Sequence, residues 1–355
     1  MSALTRAAIE AIDRERMIDD VLDQPGQLED ALWRVGSAGI GQIDAPAGLL
    51  VCGMGGSAVG GDLARGAIGS RASRPIHTVR DYALPPWFST GTLAVCSSYS
   101  GDTEETLSLF SAAGVVGAPR VAVTTGGALA RLAREEGVPV IAVPGGMKPR
   151  AAVAYGLVSV LECAAACGAA PSLRDEVERA SAPLTELAAE WGPDAAEDST
   201  AKALAKRLHG TVPVVYGAGA SEPAALRWRT QFNENAKLPA FHAALPEADH
   251  NDVLAWERAG ELAPLSAVFL EDPGAHPRTQ HRVGLTAKLV EPGAAAVERV
   301  VARGVSGVQR VMSLVLLGDL VSIYLAALAG VDPNRMEAIE RLKRDLGDHQ
   351  TLTQP

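Results

Sequence analysis

Short apolar runs alternate with glycine-rich turns and amphipathic stretches along most of the chain. In the first half, the apolar runs lie at residues 48–52, 76–79, 93–97, 121–124 and 138–143. The longer gaps between them carry helix-like patterns, as at 104–113 and 128–136. Because strands that alternate with helices need crossover connections, this pattern predicts a parallel sheet covered by helices on both faces.

The same pattern returns in the second half of the chain. An apolar run at 212–216 leads into the glycine-rich turn 217–221. Three positions repeat those of the turn after the first strand at one constant offset: Gly53 pairs with Gly217, Gly55 with Gly219 and Ser57 with Ser221. Further strands are predicted at 265–271 and 297–301, and terminal helices at 308–329 and 334–345. The constant offset predicts two units built on one duplicated plan.

The predicted architecture is therefore α/β, with two flavodoxin-like units that are each a parallel sheet flanked by helices. A chain of 355 residues is long enough for two such domains. The expected divisions are an N-terminal helical segment at 1–40, a first unit at 41–170, a helical linker at 171–208 and a second unit at 209–347 that includes the C-terminal helices.

The overall charge of the chain is acidic. Lys and Arg number 32 against 42 Asp and Glu, which gives a formal net charge of −10, and no basic block stands out. We therefore expect no nucleic-acid partner. An acidic chain can still bind an anion, because backbone amides and a few placed cations act locally.

Neither a secretory signal nor a membrane span is expected. Residues 1–20 alternate charged and apolar positions without the apolar core of a signal peptide. The most apolar run, 311–331, is interrupted by Gly318 and Asp319, so it predicts a buried helix. The cysteines lie in apolar segments, which fits a reduced cytosol: Cys52, Cys96, Cys163 and Cys167. We therefore expect a cytoplasmic protein with no membrane partner.

The sequence shows no pattern typical of a metal site or a cofactor. Cys163 and Cys167 lie one helical turn apart, but no histidine or carboxylate cluster accompanies them, which favours packing in the core. The histidines show no metal-ligand spacing. We expect neither a metal nor a cofactor.

Two turns follow predicted strands of the first unit at their carboxyl ends, the edge where open α/β sheets bind ligands. The first turn is residues 53–57 and the second, rich in serine, is residues 98–103. A phosphate monoester needs several converging donors, and hydroxyls together with free amides at a helix N-terminus supply them without a metal. The predicted phosphate-binding residues are Gly55, Gly56, Ser57, Ser98, Ser100 and Thr103.

Each turn also has a second interpretation. The serine-rich turn is compatible with an ordinary helix start in which Thr103 is the N-cap, although capping needs one hydroxyl and this turn offers several. In the first turn, Gly53, Gly55 and Ala58 come close to a dinucleotide fingerprint. A dinucleotide has no need of a second, hydroxyl-rich turn on a neighbouring strand, so binding of a phosphate monoester is favoured.

Five segments of the chain together resemble one protein family. They are residues 53–57, 97–106, 149–152, 232–237 and 247–252, in the order that the family has them. The first two look like a sugar isomerase (SIS) domain, and the full set resembles the bifunctional phosphoglucose/phosphomannose isomerases of bacteria and archaea. The resemblance implies a homodimer of chains with two SIS-type subdomains. It implies that the substrates are hexose 6-phosphates: glucose 6-phosphate, fructose 6-phosphate and, as a further candidate, mannose 6-phosphate.

The resemblance also implies a reaction through a cis-enediolate, in which one proton moves between C1 and C2. Glu234 matches the carbon-acid base, although the residues alone also allow a surface pair with Lys237 one turn later. Arg150 matches the arginine that steadies the enediolate, and Lys343 matches a lysine at the sugar ring. His250 matches the ring-opening histidine, which in the family reaches into the partner subunit's site.

Two positions depart from the pattern of the family. Asp102 stands where the family usually has asparagine, and a carboxylate that faced the phosphate would weaken its binding. Asp102 must therefore face away, pair with a cation or indicate a different ligand. The stretch 331–336 lacks the threonine associated with use of mannose phosphate.

The two units are expected to divide the work. The counterpart of the serine-rich turn in the second unit is the acidic stretch 271–274, which would repel phosphate. We therefore expect the first unit to hold the phosphate and the second to supply the base. The main alternative is a non-catalytic SIS-domain sensor or scaffold that binds sugar phosphate, and the presence of Glu234, His250 and Arg150 favours the enzyme.

Overall fold

A computed structural model describes residues 4–347 and contains two parallel β-sheets that follow each other along the chain. The N-terminal segment and the first unit contain α1 (Arg6–Glu10), α2 (Met17–Leu22), α3 (Gln24–Ser37), β1 (Gly48–Gly53), α4 (Gly55–Ile68), β2 (Ile76–Val79), β3 (Thr92–Ser97), α5 (Glu104–Val116), β4 (Arg120–Thr124), α6 (Gly127–Glu135), β5 (Val140–Ala142) and α7 (Val153–Ala166). The remainder contains α8 (Arg174–Glu178), α9 (Ser181–Trp191), α10 (Thr200–Leu208), β6 (Val212–Ala218), α11 (Glu222–Glu234), β7 (Phe241–Leu245), α12 (Ala259–Leu262), β8 (Leu265–Glu271), α13 (Pro277–Val290), β9 (Ala296–Val301), α14 (Gly307–Ala329) and α15 (Glu337–Gly347).

Both sheets follow the same strand plan. The first has the order β2-β1-β3-β4-β5 and the second β7-β6-β8-β9, and all of these pairings are parallel. In each sheet the chain starts inside, adds one strand on one side and then continues on the other, as in flavodoxin-like folds. Strands β1 and β3 are buried along their full length, which explains their unbroken apolar sequences. The predicted α/β fold with two parallel, helix-flanked sheets is confirmed.

One continuous hydrophobic core lies between the two sheets and joins the two units. In the first unit, α4 and α7 approach so closely that a Cβ on Gly60 would lie 2.6 Å from the carbonyl carbon of Gly156. In the second, the Trp228 ring of α11 packs on Gly318 of α14, and its Nε1 donates to the Leu314 carbonyl at 2.8 Å. The outer faces of the sheets are covered separately, by α5 and α6 on the first and by α13 on the second.

Helix α14 is long and apolar enough to cross a membrane by length and composition alone. In this fold, 89% of the most apolar stretch of the helix is buried inside the protein. Asp319, near its middle, is completely buried and hydrogen-bonded. The helix therefore serves as the central core helix, as its Gly318-Asp319 interruption predicts.

The last helix begins later than the sequence predicts, at Glu337 rather than at Asn334. Asn334 is buried, and its Nδ2 donates to Asp13 Oδ1 at 2.7 Å. The same Asp13 carboxylate accepts hydrogen bonds from the backbone amides of Met17 and Ile18 at the start of α2. Asn334 therefore holds the segment before α15 against the N-terminal helices, and it does not cap α15.

Candidate active site

The carboxyl ends of β1 and β3 lie side by side, with Gly53 opposite Ser97. The turns that follow these strands are bonded to each other, because Ser57 Oγ accepts a hydrogen bond from the Tyr99 amide at 3.1 Å. A small cavity lies between them and is lined by both turns and by Tyr155 of α7. The structure thus brings together the two turns that the sequence predicts to bind phosphate.

The hydroxyls of the serine-rich turn bond within the turn. Ser98 Oγ and Thr103 Oγ1 are 2.8 Å apart, and the Gly101 amide donates to Ser98 Oγ at 3.0 Å. Gly101 has a φ of 78°, and a Cβ there would lie 1.9 Å from the carbonyl oxygen of Gly126, so glycine is required. Thr103 occupies the N-cap position of α5, yet its side chain accepts no hydrogen bond from that helix. The first amides of α5 therefore have no side-chain cap, which suits an anion.

Asp102 faces away from the hydroxyls of this turn. Its Oδ1 accepts a hydrogen bond from the Ala128 amide at 2.9 Å, in the first turn of α6. A carboxylate at a helix N-terminus is stabilised by the unpaired amides and by the helix dipole. Beside it, the Thr125 amide donates to the Tyr99 carbonyl at 3.0 Å. Of the three possibilities for Asp102, the structure shows the first: the carboxylate faces another element and ties the turn to α6.

Arg150 and Glu234 form an ion pair between the two units. Arg150 Nη1 lies 3.4 Å from Glu234 Oε2, and the arginine is buried while the Glu234 side chain is 27% exposed. Burial lowers the pKa of Arg150, and the Glu234 carboxylate opposes that shift. A Cβ on Gly56 would lie 3.0 Å from Arg150 Cα, so the first turn packs directly on this segment. Arg150 therefore joins the predicted phosphate site to the predicted base.

Glu234 opens onto a cavity of about 530 Å³ at the C-terminal end of α11. The cavity is lined by Asn233, Glu234 and Lys237 on one side and by the segment 330–339 on the other. Lys237 adopts a left-handed backbone with φ of 55°, which is uncommon for a residue with a side chain. Its Nζ donates to the backbone carbonyl of Glu234 at 2.6 Å rather than to the carboxylate. Burial, with Arg150 nearby, lowers the pKa of Lys237.

Among residues 4–347, neither His250 nor Lys343 is bonded to this pair. His250 is exposed at the end of a 3-10 turn, Glu247–His250, that follows β7. Lys343 is exposed on α15. Within residues 4–347, no hydrogen bond or ion pair joins either side chain to Glu234, Arg150 or the two phosphate-binding turns. A single chain thus brings together Glu234, Arg150 and the first turn, while the described residues show no bond from the other two predicted residues to them.

Asn235 is a site residue that sequence reasoning missed. It is fully buried directly after Glu234, and its Oδ1 accepts a hydrogen bond from Arg150 Nε at 2.6 Å. A buried amide at the end of a helix needs partners, and its position beside Glu234 is the one signal that the sequence offers. In the described part of the chain, no group of three or more His, Cys, Asp and Glu side chains could hold a metal ion.

Comparison with known proteins shows to which family the chain is related. Residues 197–346 match the model of the bacterial phospho-glucose isomerase C-terminal SIS domain. A bifunctional phosphoglucose/phosphomannose isomerase from Caldicellulosiruptor bescii is 34% identical, over 94% of this chain and 99% of the relative. One from Aquifex aeolicus is 35% identical over 85% of this chain and 91% of the relative.

A solved structure shares the fold along nearly the whole chain. The crystal structure of a glucose-6-phosphate isomerase-like protein from Thermus thermophilus superposes with a TM-score of 0.63 and 22% identity, over 97% of this chain and 99% of the other. Two helix-flanked parallel sheets, together with the match to an SIS domain model, place the chain in the class of SIS-domain proteins. Within that class, the chain belongs to the bifunctional phosphoglucose/phosphomannose isomerase family.

Proposed function

We propose that the protein interconverts glucose 6-phosphate and fructose 6-phosphate through a cis-enediolate, with mannose 6-phosphate as a second aldose substrate. The observation that carries this proposal is the ion pair of Glu234 and Arg150 at 3.4 Å, on a segment whose backbone packs against Gly56 of the first phosphate-binding turn. A base, a cation and a phosphate site are the parts that this isomerisation needs.

Glu234 supplies the proton transfer in this proposal. Its carboxylate takes the proton from C2 of the open-chain aldose and returns it to C1, and the reverse direction uses the same atoms. The enediolate formed between the two steps carries negative charge on its oxygens. The buried Arg150 guanidinium lies next to the carboxylate and stabilises that charge in a site of low dielectric, where a fixed cation is more effective than water.

The two turns of the first unit supply binding energy away from the reacting carbons. Hydroxyls of Ser57, Ser98, Ser100 and Thr103, with the uncapped amides of α5, receive the phosphate dianion. Binding of this remote group holds C1 and C2 at the carboxylate, which converts the proton transfer into a reaction within one complex. The contact of Gly56 with the Arg150 backbone fixes the spacing of the two sites.

Ring opening is assigned to His250 of the partner subunit in a homodimer. Support comes from the exposure of His250 and from the lack of any bond between it and the Glu234 region in the described part of one chain. An imidazole can both donate and accept a proton, which suits proton transfer to and from the ring oxygen. In the same proposal, Lys343 on the exposed helix α15 contacts the sugar ring.

The test is a coupled assay on the purified full chain with a metal chelator present. Fructose 6-phosphate is supplied, and the formation of glucose 6-phosphate is followed through a dehydrogenase. Mannose 6-phosphate is then supplied in place of fructose 6-phosphate. Phosphoglucose isomerase is added together with the dehydrogenase, so that any fructose 6-phosphate formed is converted to glucose 6-phosphate and detected. We expect turnover without added metal. Binding of fructose 6-phosphate by calorimetry, with no turnover of any hexose 6-phosphate, would favour the non-catalytic sensor.

A further inference from the structure

The guanidinium of Arg150 is held by buried groups of the second unit. Asn235 Oδ1 accepts from Arg150 Nε at 2.6 Å, and Asn235 Nδ2 donates to Ser322 Oγ at 2.9 Å. Ser322 Oγ in turn donates to the carbonyl of Asp319 at 2.6 Å. Asn235 and Ser322 are fully buried. A planar guanidinium that is fixed through Nε can present its remaining N–H groups in only one orientation.

The backbone of Arg150 is held by a second buried contact. Arg227 Nη2 donates to the carbonyl oxygen of Arg150 at 2.8 Å. Arg227 also forms a two-point pair with Asp319, from Nε to Oδ1 at 3.0 Å and from Nη2 to Oδ2 at 2.7 Å. The Asp319 carboxylate accepts further hydrogen bonds from Gln24 and Gln231. Helix α14 therefore supports Arg150 twice, once through Ser322 and once through Asp319.

We propose that Asn235 is a positioning residue, which aims the Arg150 guanidinium at the enediolate and at Glu234. This inference rests on the proposed isomerase function. Nη2 of Arg150 donates to the Pro333 carbonyl at 2.7 Å, while Nη1 lies 2.9 Å from Met336 Sδ and 3.4 Å from Glu234 Oε2. Asn235 fixes Nε, so the edge that carries Nη1 points toward Glu234 and Met336, which both line the cavity where the reacting atoms are proposed to lie.

The chemistry explains why an amide suits this position. An amide oxygen orients the guanidinium without removing its positive charge. A carboxylate at residue 235 would orient it equally well but would compete with the enediolate for the same cation. Two properties of Arg150 can therefore be separated. Its orientation is provided both by asparagine at residue 235 and by the Asn235→Asp variant. Its free positive charge is left intact only by asparagine.

The experiment compares Asn235→Ala, Asn235→Asp and a matched control in the fructose 6-phosphate assay. The control is Ser266→Ala, which removes a buried hydroxyl at the amino end of β8. That hydroxyl lies 2.7 Å from Thr211 Oγ1. We expect Asn235→Ala to lower kcat by about 10²-fold, because a misplaced group loses that much, while KM changes little. Inhibition by inorganic phosphate should stay unchanged, and Ser266→Ala should keep the kcat of the wild type.

Crystal structures of the two variants separate orientation from charge. We expect the guanidinium to turn away from Glu234 in Asn235→Ala and to keep its place in Asn235→Asp, although both variants lose kcat. An Asn235→Ala variant with the turnover of Ser266→Ala, or with an unmoved guanidinium, would overturn the inference. An inactive wild-type protein would instead reject the proposed function, which keeps the two failures distinct.

Discussion

The turns after β3 and β8 occupy equivalent places in the two sheets, yet their chemistry is opposite. The turn after β3 carries the hydroxyls of Ser98, Ser100 and Thr103. At the end of β8, Glu271 pairs with Arg299 at 2.5 Å, and the following Asp272 pairs with Arg310 at 2.6 Å. The second unit therefore has internal ion pairs at the position where the first unit has neutral hydrogen-bond donors.

The serines of the two glycine-rich turns show the same contrast. Ser57 is half-exposed, and its Oγ accepts a hydrogen bond from the Tyr99 amide. Ser221 is buried, donates to the Leu270 carbonyl at 2.7 Å and accepts from the Ala218 amide at 3.0 Å. Both hydroxyls bridge the first and third strands of their sheets. The duplicated plan therefore keeps the serine in both copies, half-exposed at the predicted phosphate site in the first and buried as a structural contact in the second.

The largest difference between the two units is expected in substrate binding, when serine hydroxyls are removed from the serine-rich turn of the first unit or from the glycine-rich turn of the second. The double variant Ser98→Ala/Ser100→Ala should raise the KM for fructose 6-phosphate by about 10²-fold, because hydrogen bonds to a charged group contribute about 1.5–3 kcal/mol each. The coupled assay measures KM, and competition with inorganic phosphate measures the phosphate site alone. The matched variant Ser221→Ala should leave both values unchanged. Equal losses in the two variants would contradict the division between the units.

The acidic turn of the second unit should affect the stability of the fold and not the binding of substrate. Asp272→Asn weakens the pair with Arg310, so we expect the free energy of unfolding to fall by about 2 kcal/mol. Chemical denaturation measures this loss, and KM for fructose 6-phosphate should stay at the wild-type value. A lower KM in this variant would mean that the turn contacts the substrate after all.

Asp102 should act through α6. Asp102→Ala removes the acceptor for the Ala128 amide, so the free energy of unfolding should fall by about 1 kcal/mol. Asp102→Asn keeps an acceptor oxygen and should match the wild type in both stability and inhibition by phosphate. Markedly tighter phosphate binding by Asp102→Asn would show that the carboxylate faces the ligand.

A smaller effect is expected from Asp20, a carboxylate in the first turn of α2. Unlike Glu271 and Asp272, it has no Lys or Arg ion-pair partner among residues 4–347. Burial, with Asp19, Asp13 and Asp23 nearby, raises the pKa of Asp20 to about 6.

Because the pKa of Asp20 is higher in the folded state, the protonated side chain stabilises the fold at low pH. This stabilisation is lost as the pH rises through about 6. Asp20→Asn should therefore raise the melting temperature more at pH 7.5 than at pH 4.5. The expected gain is about 1 kcal/mol or less, since the group is partly solvated. A gain that is equal at the two pH values would show that the charge of Asp20 has no part in it.

The fold could be predicted well from the sequence because its strongest signals are local. Fully buried parallel strands leave unbroken apolar runs, and Gly101 marks a turn that no other residue could form. The two related turns after β1 and β6 could be aligned by glycine and serine alone. The expected unit boundaries and the cytoplasmic location stay predictions.

The site was harder to predict because its contacts join distant parts of the chain. Asp102 finds its partner 26 residues later, at Ala128, and Arg150 meets Asn235 across 85 residues. Periodicity carries no information about such pairs, so the orientation of Asp102 and the role of Asn235 were out of reach. The roles given to His250 and Lys343 stay predictions, since the described residues show no bond between either side chain and Glu234.

The central claim is that the first unit holds the phosphate while Glu234 of the second transfers the proton. The most direct test is the kcat of Glu234→Gln at saturating fructose 6-phosphate. The control is Glu222→Gln at the start of the same helix, where the carboxylate pairs with Arg65 at 3.2 Å. We predict a loss of about 10³-fold for Glu234→Gln and little change for Glu222→Gln. A kcat for Glu234→Gln within tenfold of the wild type would contradict the claim.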